Sequence, residues 1–129
     1  MKRRITDRHT RINRLQREAD HVEAMRQIGH AVECLVGNRM SMQHRLRDAA
    51  YPLSMVPESG LPPDLQHEYR SIWQQLVGPE QGTSNLLVRI DRTLAGMGST
   101  TMAALSARIV ALQARLLELD RGFRSIEGL

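Results

Sequence analysis

Glu18-x-x-His21 has the spacing of half a carboxylate-bridged di-metal site, where a Glu and a His one turn on project into a helical bundle. The chain holds no second Glu-x-x-His, although a homodimer would supply one. At about 100° per residue the pair lies well off the apolar stripe Ile12-Leu15-Ala19-Val22, which predicts that it faces solvent. His30 with Glu33, and Asp64 with His67, fall opposite their helices' apolar faces in the same way. These pairs read as surface ion pairs and solvated histidines, with no metal site among them.

Nucleophilic chemistry has as little to stand on. Cys34, the single cysteine, adjoins Leu35 and Val36 beside an apolar stripe and reads as a small core residue. One cysteine excludes an internal disulfide framework and a cysteine-rich zinc site. Serines occur without a Gly-x-Ser-x-Gly elbow, and the glycines fall where helices end rather than in a phosphate-cradling loop. Hydrolysis by paired carboxylates needs acids on a buried face, and no helix offers that. The sequence therefore predicts no enzyme, no cofactor and no small-molecule substrate.

The arginines are the remaining chemical feature. Residues 1–17 carry Lys2, Arg3, Arg4, Arg8, Arg11, Arg14 and Arg17 against Asp7 alone, a net +6. The other 112 residues carry 11 arginines against 13 acids, a net −2, so the whole positive balance of +4 sits in the first segment. Such a basic arm suits phosphates or acidic protein surfaces, and arginine makes bidentate contacts to either. On a helical wheel Arg3, Arg4, Arg11 and Arg14 cluster, Arg8 and Arg17 flank them, and the apolar stripe lies to one side. No zinc finger or aromatic RNA-binding strand accompanies them, and four aromatic residues leave little for base stacking. The arm also lacks the Trp, Phe and Leu of an interfacial membrane helix.

The elements that carry these residues are all helical. Ile5, Ile12, Leu15, Ala19 and Val22 recur at heptad spacing, and Met25, Ile28, Val32 and Leu35 continue with the stripe shifted sideways. Thr6 or Asp7 is the expected N-cap, with Lys2-Arg3-Arg4 as a frayed tip. A break at Gly37-Asn38 competes with one long helix running to about Tyr51. A second helix carries Met42, Leu46, Ala49 or Ala50, and Leu53, with Pro52 expected to kink or end it near Ala49. Pro57–Pro62 reads as loop. Pro63 opens a third helix with the apolar face Leu65, Tyr69, Ile72, Trp73 and Leu76, closed by Gly78-Pro79. Tyr69 and Trp73 read as core, as do most of the methionines. Ser84 or Asn85 caps a fourth helix bearing Leu87, Ile90, Leu94 and Met97, and Gly96, Gly98, Ser99 and Thr100 interrupt and restart the run. Met102, Leu105, Ile109, Leu112, Leu116, Leu119, Phe123 and Ile126 then step 3-4-3-4-3-4-3, the cleanest seam in the chain.

The stretch Leu61-Pro62-x-x-Leu65-x-x-x-Tyr69-x-x-Ile72-Trp73-x-x-Leu76 resembles short all-helical bacterial proteins of unassigned function. The resemblance covers roughly residues 38–118, leaves the basic arm outside, and implies a bacterial helical fold with no activity and no site residue.

The expected fold is one all-α domain over residues 1–129, an antiparallel bundle of four to five helices with long amphipathic terminal helices. The short middle helices cannot cover the long ones, so the uncovered apolar length calls for a second copy, a dimer being favoured, or a larger protein partner. No run approaches the ~18 apolar residues of a membrane span and no apolar stretch follows Met1-Lys2-Arg3-Arg4, so a cytoplasmic protein is expected. The leading reading is a non-enzymatic helical adaptor or accessory protein. Its association seam would be Met102 to Ile126, and Arg3, Arg4, Arg8, Arg11, Arg14 and Arg17 would make an electrostatic contact. The alternative is a nucleic-acid-binding protein whose basic helix meets the phosphate backbone with little regard to sequence.

Overall fold

The computed structural model describes residues 2–37, 39–79 and 85–127, with side chains described over 11–37, 39–79 and 85–121. Among them the chain forms five helices: α1 (Lys2–Val36), α2 (Met42–Ser54), α3 (Pro63–Val77), α4 (Leu86–Ala95) and α5 (Ser99–Glu127). A 3₁₀ turn, Glu58–Gly60, joins α2 to α3. The all-α bundle expected from the sequence is what folds.

Local chemistry sets most of the boundaries. Ser41 caps α2 by accepting the His44 N–H, and Asn85 caps α4 by accepting the Val88 N–H at 2.9 Å. Pro63 opens α3, where its missing N–H costs nothing, and Gly78 closes it at φ 69°, a conformation that favours glycine. Two expected boundaries differ, and one pair of alternatives is decided. Thr6 and Asp7 lie inside α1, because nothing between Lys2 and Thr6 breaks a helix and Lys and Arg sustain one well. Helix α1 stops before Gly37, so the break forms rather than one long helix, and the next cap is Ser41; Asn38 and Ser84 lie outside the described residues. Helix α2 runs past Ala49 to Ser54, since a proline in the final turn removes a single ladder bond.

Helices α1 and α2 form an antiparallel hairpin, with the Arg45 guanidinium donating to the Leu35 carbonyl at 2.9 Å near its turn. Tyr69 on α3 donates its hydroxyl to the Leu53 carbonyl at the end of α2, 2.6 Å away. Arg108 on α5 ties α3 through Glu68 (2.8 Å), Ser71 (2.9 Å) and Gln75 (2.7 Å), and Arg115 reaches Asp64 at 2.8 Å. Helix α4 is held by Thr93, which donates to the Val77 carbonyl, and by the Arg47–Asp91 pair from α2.

Ile28, Leu46, Leu53, Leu65, Ile72, Leu76, Leu94, Leu105, Ile109, Leu112 and Leu116 are completely buried between these helices. Each contributes on the order of 1.5–3 kcal/mol by leaving water. Tyr69 joins this core, and Trp73 packs against its edge. Among the described residues no helix is long and apolar enough to cross a membrane.

Candidate functional site

The apolar residues of α1 divide between two opposite faces. Ala24, Ile28, Ala31, Val32 and Leu35 point into the core. Ile12, Leu15 and Val22 do not, and stand 63%, 59% and 65% exposed. Ile12 and Ile28 are 16 residues apart, which is about 160° around a helix of 3.6 residues per turn. The expected sideways shift of one stripe is therefore a crossing to the far side. Extended towards the N-terminus, the core-facing line passes through His21, Arg17 and Arg14, which cannot build a core.

Among the described side chains, Asp20 and His21 are where the body grips α1 nearest its N-terminus. The backbone of Gly60 lies so close to Asp20 that a Cβ on Gly60 would overlap the Asp20 carbonyl. Ser59 donates its hydroxyl to the Asp20 carboxylate. The His21 ring has Nδ1 3.2 Å from the Gly60 carbonyl and Nε2 3.4 Å from Asp120 Oδ1 of α5. The spacing predicts that His21 faces solvent with Glu18. The two separate instead: Glu18 is exposed, while His21 is half-buried because the 3₁₀ turn and α5 meet over it.

Beyond this clamp both α1 and α5 continue as described helices. The helices run antiparallel, with His21 level with Asp120. From there the described α5 continues seven residues to Glu127, about 10 Å, while α1 continues nineteen to Lys2, about 28 Å at 1.5 Å per residue. Arg11, Arg14 and Arg17 stand exposed along this projecting segment, with no ion pair to an acid among the described residues. Arg3, Arg4 and Arg8 lie on its helical backbone, and their side chains fall outside the described residues. The first turn of α1 carries no acid, so cationic residues crowd the positive end of its dipole.

The seam expected on α5 is mostly spent inside the chain. Leu105, Ile109, Leu112 and Leu116 are buried in the core, and Met102 packs against it. These five side chains are taken up by the chain's own core. One turn later Leu119 is 50% exposed, because α3, which covers this flank, begins at Pro63 beside Arg115. Phe123 and Ile126 lie on the helical backbone with side chains outside the described residues.

Cys34, Ser41 and His44 are the remaining chemical candidates with described surroundings. Burial, with the Asp48 and Glu33 carboxylates adding to it, pushes the Cys34 thiol above its usual range, which works against a thiolate nucleophile. Ser41, His44 and Asp48 lie close together on α2, but the Ser41 oxygen accepts a backbone N–H while the His44 ring turns to Asp48 at 3.4 Å. No base therefore addresses the hydroxyl. No group of three or more metal-ligating side chains occurs among the described residues. Among the described residues the geometry places an exposed apolar stripe and exposed arginines together on the N-terminal part of α1. Sequence periodicity located this stripe, but the clamp from Ser59, Gly60 and Asp120 had no signal in the sequence. No protein-family model, no curated protein and no solved structure matches the chain.

Proposed function

We propose that this protein is a helical adaptor that acts by association, with the projecting segment of α1 as its contact element. One observation carries the reading: Ile12, Leu15 and Val22 form a heptad-spaced stripe pointing away from their own chain's core. Exposed apolar stripes of this kind mark interaction surfaces. A photo-crosslinking residue at position 15, compared with one at exposed Gln74 on α3, tests it in a native extract. Adducts to protein at position 15 and none at position 74 are expected. Equal adducts at both, or none at position 15, would sink the reading.

A second reading is favoured by the exposure of Arg11, Arg14 and Arg17 along one helix. Here the basic segment lies against a nucleic-acid backbone and affinity follows counterion release. Fluorescence anisotropy of labelled DNA and RNA across a salt series checks it. Replacing the three arginines with glutamine should flatten the log–log salt slope by about 2.7, at roughly 0.9 per phosphate lost. An unchanged slope, or no binding at low salt, contradicts it.

A further inference from the structure

We infer that the exposed stripe of α1 is the seam of a homodimer in which α1 pairs antiparallel with α1 of a second copy, Ile12 opposite the partner's Leu15. The inference rests on the association reading above and gives that surface its occupant.

The charge along α1 selects the direction. Residues 2–17 carry a net +6, whereas residues 18–33 hold Glu18, Asp20, Glu23 and Glu33 against Arg26, a net −3. Parallel pairing lays the two basic halves side by side and sets Glu18 against the partner's Glu23. Antiparallel pairing brings each basic half towards the acidic half of the other copy, whose carboxylates then approach the crowded positive end of the dipole.

The spacing selects the register. Ile5, Ile12 and Ala19 occupy one set of heptad positions, and Arg8, Leu15 and Val22 the other. In an antiparallel pair the two sets alternate in layers. With Ile12 over the partner's Leu15, the register sets backbone position 5 level with position 22 of the second copy and position 8 level with position 19. The same register places exposed Arg11 beside exposed Glu18 of the partner, and two-fold symmetry makes that pair twice. Residues 2–25 of each copy overlap, roughly 36 Å of helix at 1.5 Å per residue. Ile12, Leu15 and Val22 are open to solvent in the single chain. The 3₁₀ turn grips α1 at Asp20 and His21, and α5 flanks it at His21 and Gly29, while Ile12, Leu15 and Val22 stay exposed.

Sedimentation equilibrium of the full chain tests this, with charge swaps at positions 11 and 18. The expected mass is twice 14.6 kDa. Leu15→Glu should give a monomer with unchanged helical content. Arg11→Glu and Glu18→Arg should each weaken the dimer by roughly tenfold, since two flanking pairs turn repulsive at once, and the double variant should recover it. A monomer at every concentration, a Leu15→Glu variant that stays dimeric, or a double variant without recovery would each overturn the inference. A monomeric wild type that still forms adducts from position 15 with a different protein overturns the second copy and leaves the association reading standing.

Discussion

Ile12 and Ile28 occupy opposite faces of one unbroken helix, the first 63% exposed and the second fully buried. A helix can carry two apolar faces in sequence only if its two halves meet different neighbours. The C-terminal half of α1 meets α2 and α5 of its own chain. The N-terminal half leaves the body at Asp20 and His21, and its apolar face is turned away from that body.

The two isoleucines should therefore respond differently to truncation. Ile28→Ala removes completely buried methyl groups and should cost about 2–5 kcal/mol of folding stability. Ile12→Ala, read on the monomer, should stay within about 0.5 kcal/mol of wild type. Urea denaturation of both variants at one low protein concentration makes the comparison.

Gly60 is the second place where a small change has a large consequence. Its close approach to Asp20 leaves no room for a methyl group. Gly60→Ala must push the 3₁₀ turn off α1, at a cost of about 1–3 kcal/mol. Hydrogen exchange should rise first around residues 17–24 and 58–61. A variant with wild-type protection there would mean that the clamp does not hold α1.

Tyr69 gives the protein an alkaline limit. Burial, with Glu58 adding to it, pushes its phenol up to about 12, against an unfolded value of roughly 10. The unfolded chain thus loses this proton first. The contribution is complete below about 10 and is lost as the pH rises to about 12. Tyr69→Phe should remove that decline, and should cost about 1 kcal/mol at neutral pH by leaving the Leu53 carbonyl without its 2.6 Å donor. Denaturation midpoints between neutral and strongly alkaline pH test both effects.

Glu68 acts at the acid end. Its hydrogen bond from Arg108 holds the carboxyl below the usual carboxylate range. A depressed folded value stabilises the protein above the unfolded one, and that contribution disappears as the pH falls through the folded value. Glu68→Gln should therefore show a shallower loss of stability on acidification. Arg108→Ala, which also abandons Ser71 and Gln75, should cost about 1 kcal/mol at neutral pH. Equal acid sensitivity in Glu68→Gln and wild type would contradict this role.

What the sequence makes legible here is what one element decides alone. Pro63 and Gly78 bound α3 because backbone chemistry permits little else at those positions. The period of α5 announces a packed helix, but a 3-4 repeat does not say whether the partner is the same chain or another. Leu105 to Leu116 meet their own core, and Leu119 does not, because α3 happens to begin at Pro63. The same ambiguity conceals the two faces of α1, where a continuous run of apolar steps changes sides near Met25. Helix periodicity alone puts His21 in solvent, because the neighbours that cover it, Gly60 and Asp120, are 39 and 99 residues away.

The most direct measurement of how α1 meets a second copy is the distance between two identical spin labels, one on each chain, by pulsed electron resonance. With Cys34 replaced by serine, single labels go to Arg17 and, in a separate sample, to His30, both exposed. Antiparallel pairing with Ile12 over the partner's Leu15 offsets the first pair by seven residues and the second by 33. The axial separations are then about 10 Å and about 50 Å. A short distance from position 17 and a long one from position 30 is the predicted result. Equal short distances at both positions, or no distance between chains at either, would contradict it.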